Sequence, residues 1–163
     1  MSVIENIAVT EENTLISLHG SPADIGMVSK IFSMISAENI DVDMISQSPQ
    51  DGRFSDLSFT VNDSDFVKIM KIAGEIRNFN PTLKISVSSG NSKISVYGEE
   101  MNGTPGVAAK VFEAVSNVGC DIRMITTSDV TISLLVAQVD TAKCVSAIEK
   151  AFRSRHSRIL KSG

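Results

Sequence analysis

The chain has 163 residues, a formal net charge of -4, and a composition of 42% hydrophobic and 21% charged residues. The negative balance argues against nucleic acid as the main partner, because phosphate binding needs a basic surface. No apolar run approaches the ~18 residues that span a membrane, and no signal peptide is visible. We therefore expect a cytoplasmic protein that binds neither nucleic acid nor membranes.

The first half of the chain alternates between strand and helix patterns. Apolar residues recur at strand spacing or at helix spacing, and turn residues separate the segments. In chain order the predicted elements are a strand over 13–20, a helix over 26–38 closed by Asn39, strands over 40–48 and 54–61, a helix over 64–77 and a strand over 83–89. This is a β-α-β-β-α-β order.

The second half repeats that order without an obvious last strand. The predicted elements are a strand over 92–98, a helix over 107–118, strands over 121–127 and 131–138, and a helix over 141–152 with Thr141 as its N-cap. A further strand, over 5–11, has no place in the first half. We expect it to complete the second sheet.

The two halves are copies of one supersecondary unit. Residues 26–48 align with residues 106–128 at a constant offset of 80 positions and without a gap. The identical pairs are Gly26/Gly106, Lys30/Lys110, Phe32/Phe112, Ser36/Ser116, Asp41/Asp121, Met44/Met124, Ile45/Ile125 and Ser48/Ser128. Such self-similarity is typical of a tandem repeat.

The element order predicts an α+β fold of two domains. A βαββαβ unit forms a four-stranded antiparallel sheet with both helices on one face, as in ferredoxin-like proteins. We expect one domain over 13–89, inserted into a second domain made of 3–11 and 91–153. The remaining residues, 154–163, are expected to form a flexible, solvated tail.

No catalytic constellation is visible. The chain has no phosphate-binding loop, no GxSxG elbow and no cluster with metal-ligand spacing. Cys120 and Cys144 lack CxxC spacing, so we expect no zinc or redox site, and we expect Cys120 to be a buried free thiol. No catalytic residue, metal or cofactor is therefore assigned to this chain.

The repeat places a glycine at the start of an amphipathic helix twice, at Gly26 and Gly106. Unpaired backbone N–H groups at a helix start favour an anion, and glycine allows close approach to the backbone. On the following strand, Asp43 could bind an ammonium group, and Gln47-Ser48 and Thr127-Ser128 could orient a ligand. These groups suit an amino-acid zwitterion. The alternative is that the glycines only form turns and the apolar neighbours only form a core.

These residues resemble a known family. The segments "MNGTPGVAAKVFEAV", "IRMITTSDVTISLLV", "IDVDMISQS" and "DLSFTV" are similar to the tandem ACT domains in the regulatory C-terminal part of aspartate kinases. The resemblance covers about residues 9–152. It implies two ferredoxin-like ACT domains, the first nested within the second, that pair side by side and bind an end product of the aspartate pathway between them.

The resemblance also implies effector contacts at the matching positions of both copies. In the first copy they are Gly26, Met27, Val28, Val42, Asp43, Gln47 and Ser48, and in the second copy Pro105, Gly106, Val107, Ala108, Asp121, Ile122, Thr127 and Ser128. The first loop departs from the family pattern Asp-x-Pro-Gly, because it reads Ala23-Asp24-Ile25-Gly26. This departure leaves open whether Asp24 contacts the effector.

The function implied is feedback inhibition of aspartate phosphorylation by ATP. No segment here could hold ATP or aspartate, so we expect either a separately made regulatory subunit or a piece of a longer enzyme, working with a catalytic domain and as a homodimer. Lysine is favoured as effector, because Asp43 could pair with its side-chain ammonium, and threonine is next. The alternative is a free-standing ACT amino-acid sensor that controls a different partner. An RNA-binding or metal-carrier module is disfavoured, because the strands lack stacking aromatics and the chain lacks CxxC.

Overall fold

The structure is a computed structural model, and it describes residues 3–22, 24–49 and 52–153. The chain divides into two compact units. The central unit consists of Glu11–Asn91, and the flanking unit consists of the described residues up to Thr10 and from Ser92 onward. No helix in the described ranges is long and apolar enough to cross a bilayer. The predicted tail, 154–163, lies outside the described residues.

Strands and helices alternate along both units. The strands are β1 (Asn6–Pro22), β2 (Ile45–Gln47), β3 (Phe54–Asn62), β4 (Lys84–Tyr97), β5 (Ile122–Thr127) and β6 (Thr131–Ala137). The helices are α1 (Ile25–Ala37), α2 (Phe66–Phe79), α3 (Val107–Asn117) and α4 (Thr141–Phe152). Short 3₁₀ turns, Asp63–Asp65 and Gln138–Asp140, lead into α2 and α4.

The central unit is a four-stranded sheet with two helices on one face. Its strand order is β2-β3-β1-β4, and β3 is antiparallel to both β1 and β2. Alternate residues of β1 and β3 point to the helices, because side chains alternate between the faces of a strand. The buried cluster that results contains Ile16, Leu18, Leu57, Phe59 and Val61 from the strands with Ile31, Ile35, Ile69, Ile72 and Ile76 from the helices. This agrees with the predicted ferredoxin-like fold class.

The flanking unit has the same plan, with strand order β1-β4-β6-β5 and with β5 antiparallel to β6. Its first strand comes from the N-terminus, where the Glu5 N–H donates to the Tyr97 carbonyl at 2.9 Å. The helices cover a cluster that includes Ile94, Val96, Val111, Val115, Leu134 and Ile148. The close packing of the N-terminal segment is visible at Gly98, where a Cβ atom would lie 1.9 Å from the Val3 carbonyl oxygen.

Two strands are longer than the sequence predicts. The segments predicted as strands over 5–11 and 13–20 are one strand, β1, and those over 83–89 and 92–98 are one strand, β4. The expected breaks survive as single residues with left-handed backbone, Glu12 (φ 59°) and Gly90 (φ 71°). The pattern therefore did not predict the continuity of the two strands.

Three local predictions were wrong. Strand β2 covers only Ile45–Gln47 rather than 40–48. Thr141 is not the N-cap of α4, because its hydroxyl donates to the Gln138 carbonyl (2.8 Å) and the helix is preceded by Asp140. Cys120 is not a free thiol but forms a disulfide with Cys144, because the loop before β5 and the first turn of α4 bring two distant cysteines together. The prediction that Asn39 closes α1 is confirmed by its left-handed φ of 55°.

Candidate functional site

The start of α1 is capped by its own sequence. The Asp24 carboxylate accepts a hydrogen bond from the Gly26 N–H (2.9 Å), and the Asp24 carbonyl accepts from the N–H groups of Met27 (3.0 Å) and Val28 (3.3 Å). An Asp at this position is a favoured N-cap, because it satisfies amides that have no partner within the helix. The Gly26 N–H is therefore engaged, contrary to the expectation of an unpaired amide.

Glycine at position 26 leaves space for the carboxylate that caps the helix. A Cβ atom there would lie 3.1 Å from a carboxylate oxygen of Asp24, tighter than ordinary contact. At the place where the loop departs from the family pattern, Asp24 caps the helix. The sequence signal was present, because Asp two residues before a helical glycine is a capping pattern.

The start of α3 is organised differently. Gly106 has a left-handed φ of 89°, which glycine adopts at no steric cost, and no described side chain caps this helix. Pro105 and Gly106 are exposed, Ala108 is half-buried, and Val107 is buried in the core of the flanking unit. Of the two aligned helix starts, that of α3 has no side-chain cap and is the better suited to an anion.

In the central unit, the end of β2 and the start of α1 lie at the same end of the strands. The Ser48 N–H donates to the Asp56 carbonyl (2.9 Å), and the Ser48 hydroxyl accepts from the Asp56 N–H (2.8 Å). The Gln47 amide donates to the Ser55 hydroxyl at 3.1 Å. The same end of β3 pairs with the end of β1, through Pro22 opposite Phe54, and α1 begins at Ile25.

The residues before β2 lie toward the opposite end of the strands. The Asp43 N–H donates to the Thr60 carbonyl at 3.0 Å, and Val42 packs against the core cluster. Asp43 is five residues from Ser48, which at about 3.3 Å per residue corresponds to roughly 16 Å. One amino acid cannot span that distance. In the central unit, Gly26, Met27 and Val28 therefore lie at the end of the strands where β2 ends in Gln47 and Ser48. Asp43 lies at the other end.

The flanking unit repeats this separation. The Ser128 N–H donates to the Thr131 carbonyl (2.8 Å), and the Gly98 N–H donates to the Val130 carbonyl (3.0 Å). The end of β5 therefore lies at the end of the strands from which the chain leads to α3. At the opposite end of the strands, the Ala137 N–H donates to the Asp121 carbonyl (3.2 Å), and Ile122 pairs with Val136. Thr127 and Ser128 are thus apart from Asp121 and Ile122. In both units the candidate residues fall into two groups, at opposite ends of the edge strand, and each group is named a half-site below.

The half-sites at the strand starts differ in charge between the copies. Asp41 and Asp43 are both exposed in the central unit. Their counterparts in the flanking unit are Asp121 and Arg123, whose side chains form an ion pair at 2.9 Å. The two copies therefore offer different electrostatic environments to a ligand, with the greater negative charge in the first.

Asp140 holds the start of β5 and was missed by the sequence analysis. Its carboxylate accepts from the Lys143 ammonium (2.9 Å) and from the Asp121 N–H (3.0 Å). The Lys143 hydrogen bond, followed by the Asp121 N–H, lowers the pKa of Asp140 below its ordinary value of 3.8. The sequence pattern that could have identified Asp140 is an Asp directly before a helix with a Lys three residues later. Within the described residues, no group of three or more His, Cys, Asp or Glu side chains could hold a metal ion.

Comparisons with known proteins agree with this architecture. Residues 94–152 match the family model of the ACT domain. An aspartokinase of Bacillus sp. (strain MGA3) is 31% identical over 157 residues, which are 96% of this chain and 38% of that protein. The chain thus spans less than two fifths of that relative.

Two solved structures resemble nearly the whole chain. The structure of aspartokinase alpha and beta subunits has a TM-score of 0.82 at 29% identity, and covers 93% of this chain and 99% of the matched chain. The ligand-free regulatory subunit of aspartate kinase from Thermus thermophilus has a TM-score of 0.80 at 26% identity, with the same two coverages of 93% and 99%.

Proposed function

Because this chain belongs to the ACT-domain family and is similar over nearly its whole length to the regulatory subunit of an aspartate kinase, we propose that it is the effector-sensing regulatory part of an aspartokinase. An amino acid bound between paired ACT units would restrain the phosphorylation of aspartate by ATP, in the cytoplasm. The observation that carries this proposal is the likeness of 93% of the chain to an aspartate kinase regulatory subunit. The separation of the candidate residues into half-sites at opposite ends of each edge strand supports a site shared by two copies.

The separation has a direct consequence for ligand binding. Each unit ends in an edge strand, β2 in the central unit and β5 in the flanking unit. An edge strand has unpaired backbone groups and pairs readily with another strand. When two edge strands pair antiparallel, the start of one lies beside the end of the other. Pairing of two copies thus supplies both halves of an amino-acid site.

Exposed apolar side chains on the edge strands support such pairing. Ile45 on β2 is 52% exposed, and Ile125, its counterpart on β5, is 43% exposed. Pairing of the edge strands of two copies would cover these side chains and remove apolar surface from water. We therefore propose a homodimer assembled through the ACT units, in which the second copy covers the exposed side chains of Ile45 and Ile125.

Lysine is the proposed effector and threonine is the second candidate. The pair of exposed carboxylates Asp41 and Asp43 favours a ligand with an additional cation, because opposite charges that share hydrogen bonds bind more strongly than neutral groups. Gln47 and Ser48 would serve a smaller polar side chain such as that of threonine. The ligand carboxylate would be bound at a helix start of the paired unit.

Coupling to catalysis requires a partner outside this chain. The proposed partner is an aspartokinase catalytic domain or subunit, whose inactive arrangement the effector-bound dimer must favour. A tenfold shift of the equilibrium between the two arrangements needs a tenfold difference in effector affinity, or about 1.4 kcal/mol. This is a small demand on a site with several charge-assisted hydrogen bonds.

Isothermal titration with lysine and then threonine tests the proposal. We expect saturable binding of lysine to the wild-type chain and loss of that binding in Asp43→Ala. Glu75→Ala is the matched control, because it removes an exposed carboxylate of the same unit on α2, away from the candidate residues. Unchanged lysine affinity in Asp43→Ala would remove Asp43 from the site. Failure of both amino acids to bind would overturn the sensor function.

A further inference from the structure

A disulfide joins the start of β5 to α4 in the flanking unit. Cys120 and Cys144 are 24 positions apart in sequence, with a Cα–Cα distance of 6.2 Å, inside the range that disulfides span. Cys144 is fully buried in the first turns of α4, and Cys120 is half-buried. The residues directly after Cys120 are Asp121 and Ile122, the half-site at the start of the strand.

Two non-covalent links hold the same segment. The Lys143 ammonium donates to the Gly119 carbonyl at 3.0 Å, and the Asp121 N–H donates to the Asp140 carboxylate at 3.0 Å. Three consecutive residues, 119–121, are therefore tied to the start of α4. The disulfide is the covalent member of this set, and it lies between the other two.

The central unit builds the same place without a disulfide. The counterpart of Cys120 is Ile40, which is 6% exposed and belongs to the same buried cluster as Ile69 of α2. The Lys68 ammonium donates to the Glu38 carbonyl at 3.1 Å and repeats the helix-to-loop link. Apolar packing and one lysine thus hold this place in the central unit, whereas the flanking unit has a covalent link there.

We propose that the Cys120–Cys144 disulfide is a redox-responsive clamp that sets the mobility of the Asp121–Ile122 half-site and thereby the effector affinity of the flanking unit. The inference rests on the proposed function, because it concerns regulation of the same sites. A clamped half-site loses less conformational entropy when it binds a ligand than a mobile one. The oxidised chain therefore binds the effector more tightly than the reduced chain.

The chemistry of the clamp is thiol–disulfide exchange with a low-molecular-weight thiol such as glutathione. A glutathione thiolate attacks the sulfur of half-buried Cys120, the S–S bond breaks, and the Cys144 thiolate leaves and takes up a proton. A second glutathione thiolate then attacks the mixed disulfide. Two protein thiols and one glutathione disulfide result, with two electrons and two protons transferred to the protein. Glutathione disulfide reverses the sequence.

Hydrogen exchange of the intact chain tests the clamp directly. The chain is equilibrated with glutathione disulfide or with reduced glutathione, and its thiols are counted by maleimide labelling after denaturation. We expect faster amide exchange at residues 119–123 in the reduced chain, with a melting temperature lower by on the order of 10 °C. The matched control is the variant C120S/C144S, which should behave as reduced under both conditions.

Titration of both states with lysine and threonine completes the test. We expect binding about threefold to tenfold weaker in the reduced chain and no redox effect in C120S/C144S. Two labelled thiols after oxidation, or equal exchange in both states, would overturn the clamp. Faster exchange with equal affinity would overturn its link to the effector. Faster exchange without binding of either amino acid in either state would support the clamp and overturn the proposed function instead.

Discussion

The carboxylate of Asp24 accepts a hydrogen bond from the backbone N–H of Gly26 at 2.9 Å and caps α1. At the equivalent helix start, Gly106 has left-handed backbone and no described side chain caps α3. Two glycines that align in the repeat therefore have different structural roles. Gly26 leaves room for a capping carboxylate, and Gly106 allows a turn that other residues rarely adopt.

The Asp24 cap predicts a loss of stability in Asp24→Ala. Removal of an Asp N-cap leaves helix amides without a partner and costs about 1 kcal/mol. We expect the central unit of the variant to unfold at lower urea concentration than the wild type. Asp41→Ala, which removes an exposed carboxylate outside any helix, is the control. Equal stability of Asp24→Ala and Asp41→Ala would show that the cap contributes nothing.

Gly106 and Gly74 predict opposite effects of the same substitution. Gly106→Ala forces a Cβ atom into a left-handed backbone with φ 89°, which costs about 1–2 kcal/mol. Gly74→Ala, in the exposed interior of α2 with open space around it, should stabilise by about 0.5–1 kcal/mol through higher helix propensity. Chemical denaturation measures both. A stabilised Gly106→Ala variant would contradict the backbone requirement.

Gly98 predicts the importance of the N-terminal strand to the flanking unit. A Cβ atom at this position would lie 1.9 Å from the Val3 carbonyl oxygen, so Gly98→Ala must displace the N-terminal segment. Overpacking of this kind costs about 1–3 kcal/mol. We expect a lower melting temperature and faster proteolytic removal of the first residues. Proteolysis at the wild-type rate would mean that the segment does not pack at Gly98.

Asp140 predicts a dependence of stability on pH. Its pKa is lowered in the folded chain, first by the Lys143 hydrogen bond and then by the Asp121 N–H. A carboxyl group with a lowered folded pKa stabilises the fold above its unfolded pKa, and this contribution is lost as the pH falls through the folded pKa. We expect Asp140→Asn to melt below the wild type at pH 6. The difference should begin to narrow below about pH 4, where the unfolded carboxyl takes up a proton, and should be lost once the pH falls below the lower folded pKa. A difference that is constant across this range would exclude the carboxylate as its cause.

The elements could be predicted from the sequence because their apolar periods are strong. Asn39 was recognised as the end of α1, since a left-handed residue after a helix has a clear signature. The continuity of β1 through Glu12 was not predictable, because residue patterns do not show which strands share hydrogen bonds. The disulfide was missed for a similar reason. Cys120 and Cys144 meet only through tertiary packing, which spacing in the sequence does not reveal.

The candidate site was predicted only as a set of residues. The repeat identified residues such as Gly26, Asp43 and Ser48, but the pairing register of β2 and β3 decides where each lies. The Asp43 N–H donates to the Thr60 carbonyl and the Ser48 N–H donates to the Asp56 carbonyl, so the two residues lie at different positions along β3. The proposal that two copies share each site follows from this register.

The most direct test of the account is the dependence of dimerisation on the effector, measured by sedimentation velocity over a range of chain concentrations with and without lysine. If each site is shared by two copies, lysine binds the dimer and not the monomer, so linkage requires that it shift the equilibrium toward the dimer. We expect the dimer to form at lower chain concentration when lysine is present. A monomer that binds lysine as tightly as the dimer, or a chain that stays monomeric at all concentrations with and without lysine, would contradict the shared site.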